Sequence, residues 1–131
     1  MIRSGLLFVM AFIYALNGAR MAIDPEGWYA HTPGVSGTGP FNNHFITDIG
    51  FIYLTVAFAF AYAAIRPAQT KALLIFAALW PLLHALFHLS EWMHHGLPDG
   101  LALWTESLGV ILPSALGAIL AATPLKPAPQ E

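Results

Sequence analysis

Six histidines and seven carboxylates are the only side chains here suited to metal or proton chemistry, because the chain has no cysteine. Their spacing is uneven. His84, His88, Glu91 and His95 recur three or four residues apart. At about 100° per residue they fall within an arc of about 60° and form one helical stripe. His44 and Asp48, also four apart, share a face of an earlier segment. Imidazole and carboxylate ligands suit zinc, iron, copper, nickel or manganese, and two histidines at i, i+4 on a helix can reach one ion. The order His84-x-x-x-His88-x-x-Glu91 does not place the acid between the histidines, so it is not a zincin motif. His44, Asp48, His84, His88 and Glu91 are therefore the candidate metal set, for a divalent ion such as zinc, copper or iron. Asp48 or Glu91 would serve as a ligand or as the carboxylate that orients an imidazole.

Other uses of the same residues stay open. The polar layer can be structural, with Arg20 pairing with Asp48, Glu91 or Glu106 and the histidines bonded to serines, carbonyls or one another. The protein is then an accessory or scaffold subunit. A quinone head group at the outer leaflet could take bonds from His and Asp, making it an electron-transfer accessory. Haem is not expected: bis-imidazole ligation across helices needs His44, which sits at the rim. A zinc-bound or carboxylate-activated water could hydrolyse a lipid ester or amide. Four short helices leave little room for a substrate, however, and the chain carries no complete catalytic motif, so no enzyme activity is assigned.

The elements that must position these residues follow from composition. Of the 131 residues, 57% are hydrophobic and only 9% charged, against about 25% charged in an ordinary soluble domain. Mean hydropathy is +0.64. A soluble monomer could not cover its surface with so few polar groups. A net charge of -2 offers phosphates nothing to neutralise, so nucleic acid is not a partner. Disorder fails for want of polarity. An all-α, polytopic membrane protein remains, with the lipid bilayer as its first partner and a homo-oligomer or larger membrane complex as a further one.

A span needs about 20 apolar residues. Four stretches come close: about Gly5 to Ile23, Ile46 to Ile65, from just after Lys71 to Trp92, and Leu101 to Ala122. Each ends at a proline or glycine stop. The first lacks a small-x-small cleavage site and is read as a retained helix rather than a signal peptide. Arg3, Arg66, Lys71 and Lys126 share one side of a four-span arrangement, and Arg20 lies toward the other. The positive-inside rule then puts both termini in the cytoplasm of a bacterial inner membrane. Six carboxylates gather at the outer face, with Glu131 alone inside. Trp28, Tyr29, Trp92 and Trp104 fall at the outer boundary, whereas Trp80 lies deeper and is read as packing. Ala57, Ala61 and Gly50 on the second span, and Gly109, Gly117 and Ala121 on the fourth, permit close helix approach. Pro81 and Pro113 should kink the third and fourth.

Residues 1–123 thus form a four-helix transmembrane domain, and the Pro-rich 124–131 a disordered cytoplasmic tail. The long external connection from Asp24 to His44 is turn-rich. It is either a flexible linker or a lid over the bundle mouth. The segments Thr38-Gly-Pro-Phe-Asn-Asn-His-Phe-Ile-Thr-Asp48-Ile-Gly50 and Trp80-Pro-Leu-Leu-His84-Ala-Leu-Phe-His88, on a four-span plan, resemble those of small uncharacterised bacterial inner-membrane proteins of the DoxX-like group. That resemblance implies the fold and transfers no functional residues.

Overall fold

Asp24-Pro25 ends one helix and starts another. In the computed structural model, which describes residues 2–66 and 70–123, α1 (Ile2–Ile23) stops before Asp24. The Asp24 carboxylate then accepts from the Gly27 N–H at 3.0 Å. Pro25 takes the first helical position, where its missing N–H costs nothing. The short α2 (Pro25–His31) results. Periodicity reads this stretch as loop, because seven residues are too few to show a repeat. A single 3₁₀ turn (Val35–Gly37) follows. Asn42 caps α3 (Asn43–Ile65) by accepting from the Phe45 N–H at 3.0 Å. The next helix, α4 (Lys71–His95), runs through Pro81 and ends at Gly96.

The fourth span comprises α5 (Gly100–Glu106), a π turn (Ser107–Ile111) and α6 (Leu112–Ala122). In the π turn the Leu112 N–H reaches back five residues to the Ser107 carbonyl. Pro113, next along, has no N–H for the carbonyl four residues before it, and its ring crowds that carbonyl. A widened turn just ahead of it relieves both. The tail 124–131, expected to be disordered, lies outside the described residues.

Four helices are long and apolar enough to cross a membrane: Ile2–Ile23, Asn43–Ile65, Lys71–His95 and Gly100–Ala122. At 22 to 25 residues each they extend at least about 33 Å, enough for a hydrocarbon core of about 30 Å. No strand occurs among the described residues. Phe12, Phe58, Phe76 and Phe87 stand more than half exposed, as side chains facing lipid do.

Lipid is as apolar as leucine, so close packing rather than water exclusion must hold the helices together. α1 and α3 run antiparallel and meet where both lack side chains. A Cβ placed on Gly18 would lie 2.7 Å from the Gly50 carbonyl oxygen and 2.8 Å from Tyr53 Cβ. One placed on Gly50 would lie 2.9 Å from Met21 Cβ. Farther along, the Tyr14 ring contacts those of Tyr53 and Phe60 at 5.6 and 5.7 Å. Leu7 and Met10 from α1, Leu74 from α4 and Leu120 from α6 complete the buried centre. Gly117 fits against Phe60, where an added Cβ would lie 3.1 Å from the ring. Gly109 meets nothing within 4 Å, so of the small residues expected to pack on the fourth span, it is not a contact.

One end of the bundle is tied by cations. Arg3 donates to the Leu120 carbonyl at 2.8 Å and the Thr123 carbonyl at 3.4 Å. Lys71 donates to the Thr123 carbonyl at 3.2 Å and also to that of Ala121. The last carbonyls of a helix have no partner within it and carry the negative end of its dipole. Two spans therefore cap a third. Arg3→Ala with Lys71→Ala should cost about 1–2 kcal/mol, seen as a melting point several degrees lower for the detergent-solubilised protein.

Candidate functional site

Where α4 meets α5, a carboxylate gathers two donors. His88 Nδ1 lies 2.8 Å from Glu106 Oε2, and Trp92 Nε1 donates to the same oxygen at 2.7 Å. An indole N–H can only donate, so this oxygen is an acceptor. With Glu106 ionised, His88 Nδ1 must then carry a hydrogen, and its Nε2 is the nitrogen left for a proton or a ligand. The two side chains retain 22% and 18% of their exposure. Such partial burial makes the bond worth more than a solvated ion pair.

His84, one turn deeper, presents its ring edge-on to His88 at 4.7 Å. It stacks nearly parallel on Trp80 at 5.1 Å, and Tyr53 of α3 meets Trp80 edge-on, also at 5.1 Å. Imidazoles and aromatic rings thus form a continuous row from Glu106 into the bundle centre. Trp80 packs as expected, and it also fixes the His84 ring.

The candidate residues divide into three places. His84 and His88 are adjacent. His44 sits 3.2 Å from Asp48 on its own helix, and these side chains are 90% and 57% exposed. Glu91 lies 3.7 Å from His95, again on one helix, and both side chains are about half exposed or more. Among the described residues no three His, Asp or Glu side chains form a metal-binding group. Among the described residues Arg20 makes no ion pair, and the three ion-pair contacts formed between them all involve histidine. The exposed position of His44 gives no support to a haem held between helices.

Glu106 is the carboxylate that the candidate set lacked. It lies toward the same end of the bundle as Asp48 and Glu91, but nothing in its spacing distinguishes it from them. The only sequence signal is its place on the span that follows α4 directly through a short connection, since consecutive helices pack as neighbours most often. The polar layer continues on α1, where Asn17 accepts from Trp28 Nε1 at 2.8 Å. No family model matches this chain, and comparison with curated proteins and with solved structures finds no match.

Proposed function

We propose that this is a small multi-pass protein of a bacterial inner membrane whose outward-facing end holds an exchangeable cation at a histidine–carboxylate centre. Glu106 orients His88, and His84 supplies the second imidazole. The observation that carries this reading is the 2.8 Å His88–Glu106 contact between two membrane-crossing helices. Ionisable groups there are expensive, and they mark ion or proton sites when they face the bundle interior. The cation is a proton or a divalent transition metal, zinc, copper or iron. A carboxylate bonded to the far nitrogen of an imidazole fixes its tautomer and ring orientation and leaves the other nitrogen set for a ligand or proton. The clustering of Arg3 and Lys71 at the end where Thr123 lies supports the orientation with both termini cytoplasmic. The resemblance to the DoxX-like group is consistent with this plan.

A second reading is favoured by one observation. His88 and Trp92 already share a single Glu106 oxygen, and the His84 ring is packed on Trp80, as in a layer that only fixes helix register. The protein would then be a non-catalytic accessory or scaffold subunit. Metal analysis of the detergent-purified protein, beside a His84→Ala, His88→Ala double variant, separates the two. The metal form of the centre predicts bound metal that the double variant loses. The proton form predicts no metal, but uptake of a proton that Glu106→Gln abolishes. A wild type with neither, and a double variant that is merely less stable, would leave the structural layer.

A further inference from the structure

The external segment after α1 does not leave the bundle. Trp28 and Tyr29 pack against the buried core, and Trp28 is bonded to Asn17. Tyr29 Oη donates to the Gly39 carbonyl at 2.7 Å and lies 3.4 Å from that of Ser36, while its ring meets Phe41 at 5.5 Å. One side chain therefore ties the whole turn-rich stretch into a unit.

That unit rests on the centre. Gly34 adopts a φ of +89°, a conformation that residues with a side chain rarely take. A Cβ there would lie 3.1 Å from Ala102 Cβ and 3.6 Å from Glu106 Oε1. This is the carboxylate oxygen that His88 and Trp92 do not use. Among the described residues, no hydrogen bond joins residues 32–41 to α4 or α5. The segment is thus braced internally and anchored on α1, yet it meets the centre only through van der Waals contact.

We infer that residues 24–42 form a strap that closes over Glu106 from the outer side, seated by Gly34 and held by Trp28, and that it must lift for a cation to reach the centre. Its gating role rests on the reading of the centre given above; its position does not. A braced unit with no hydrogen bonds to α4 or α5 can open without unfolding, because the contact at Gly34, the Trp28 anchor and the packing of α2 on the core are lost while the Tyr29 brace is kept.

Carboxylate labelling of the intact, detergent-solubilised protein tests this. A water-soluble carbodiimide with an amine nucleophile converts accessible carboxylates to amides, which peptide mass spectrometry reads one by one. Glu91, half exposed on the neighbouring helix, is the internal reference. Gly34→Val should raise the labelling rate of Glu106 about tenfold relative to Glu91, since overpacking the closed state shifts the balance toward the open one. Trp28→Phe keeps an aromatic ring but loses the bond to Asn17, and should raise it too. Gly37→Val, at a position where a Cβ meets nothing within 4 Å, should not. Unchanged Glu106 labelling in both Gly34→Val and Trp28→Phe would overturn the strap. That outcome leaves the cation measurement untouched, and a failed cation measurement leaves the strap untouched.

Discussion

Gly50→Leu should prevent the bundle from assembling normally. A Cβ at position 50 would meet Met21 Cβ at 2.9 Å, the Gly18 carbonyl oxygen at 3.0 Å and the Ala22 nitrogen at 3.1 Å. Two of these are backbone atoms and the third is a Cβ, so none can swing aside. The helices themselves would have to separate, and a leucine would force them farther apart than an alanine. Overpacking a tight site costs about 1–3 kcal/mol, occasionally more, and here the upper end is expected. In lipid the loss cannot be recovered by burying apolar surface elsewhere, because the alternative environment is equally apolar. Thermal unfolding in detergent measures it. Gly109→Leu is the matched control: the same exchange in a membrane helix, at a site with nothing within 4 Å, should leave the melting point almost unchanged. Gly18→Leu should resemble Gly50→Leu, and the double variant should cost much less than the sum, since both open the same contact.

The second large effect is expected at Glu106. Glu106→Leu removes the acceptor of two donors at once and leaves Trp92 Nε1 and His88 Nδ1 unpaired in a partly buried layer. An unsatisfied buried donor costs about 1–3 kcal/mol. Residual exposure of the site lowers this toward about 2 kcal/mol for the pair. Glu106→Gln keeps one acceptor oxygen and most of the shape, so the fold should survive it with a smaller loss. The two variants should nevertheless agree on the imidazole. Nitrogen NMR of the ring should find His88 held with its hydrogen on Nδ1 in the wild type. It should find a mixture of tautomers in Glu106→Leu, and weakened discrimination in Glu106→Gln. Equal His88 spectra in all three proteins would mean that the carboxylate does not orient the ring.

Much of the fold is legible in the amino-acid sequence because a bilayer imposes a simple rule. Twenty apolar residues between polar stops must be a helix, so the third span is placed to begin just after Lys71, within a residue of its start, and the fourth to end at Ala122. The short helix at Pro25–His31 escapes the same reasoning, although Asp24-Pro25 is a recognisable cap and first-turn pair. Its signal is local hydrogen bonding rather than periodicity. The site was legible only by level. Pattern put His44, Asp48, His84, His88, Glu91 and Glu106 near one end of the bundle, but depth does not say which helices adjoin. α3 is drawn onto α1 by the Gly18–Gly50 contact, which leaves His44 and Asp48 paired with each other in the open. The third and fourth spans pack together, so Glu106 reaches His88. Gly18 carries no local signal for this contact, because its role depends on a partner 32 positions away in the chain.

The π turn at Ser107–Ile111 lets one span serve two neighbours. On an uninterrupted α-helix, positions 113 and 117 would both lie within about 20° of position 106, so the three would share one face. The neighbours are not on one face. Glu106 turns to His88 and Trp92 of α4, whereas Gly117 beds against Phe60 of α3 and Met10 of α1. A π turn takes up about one residue more than an α turn, so everything after it lags by roughly 100°. The extra residue works as a phase shifter: it uncouples the direction of the polar end from that of the apolar end. The polar contacts at one end and the packing in the middle can therefore change independently, although they share a single helix.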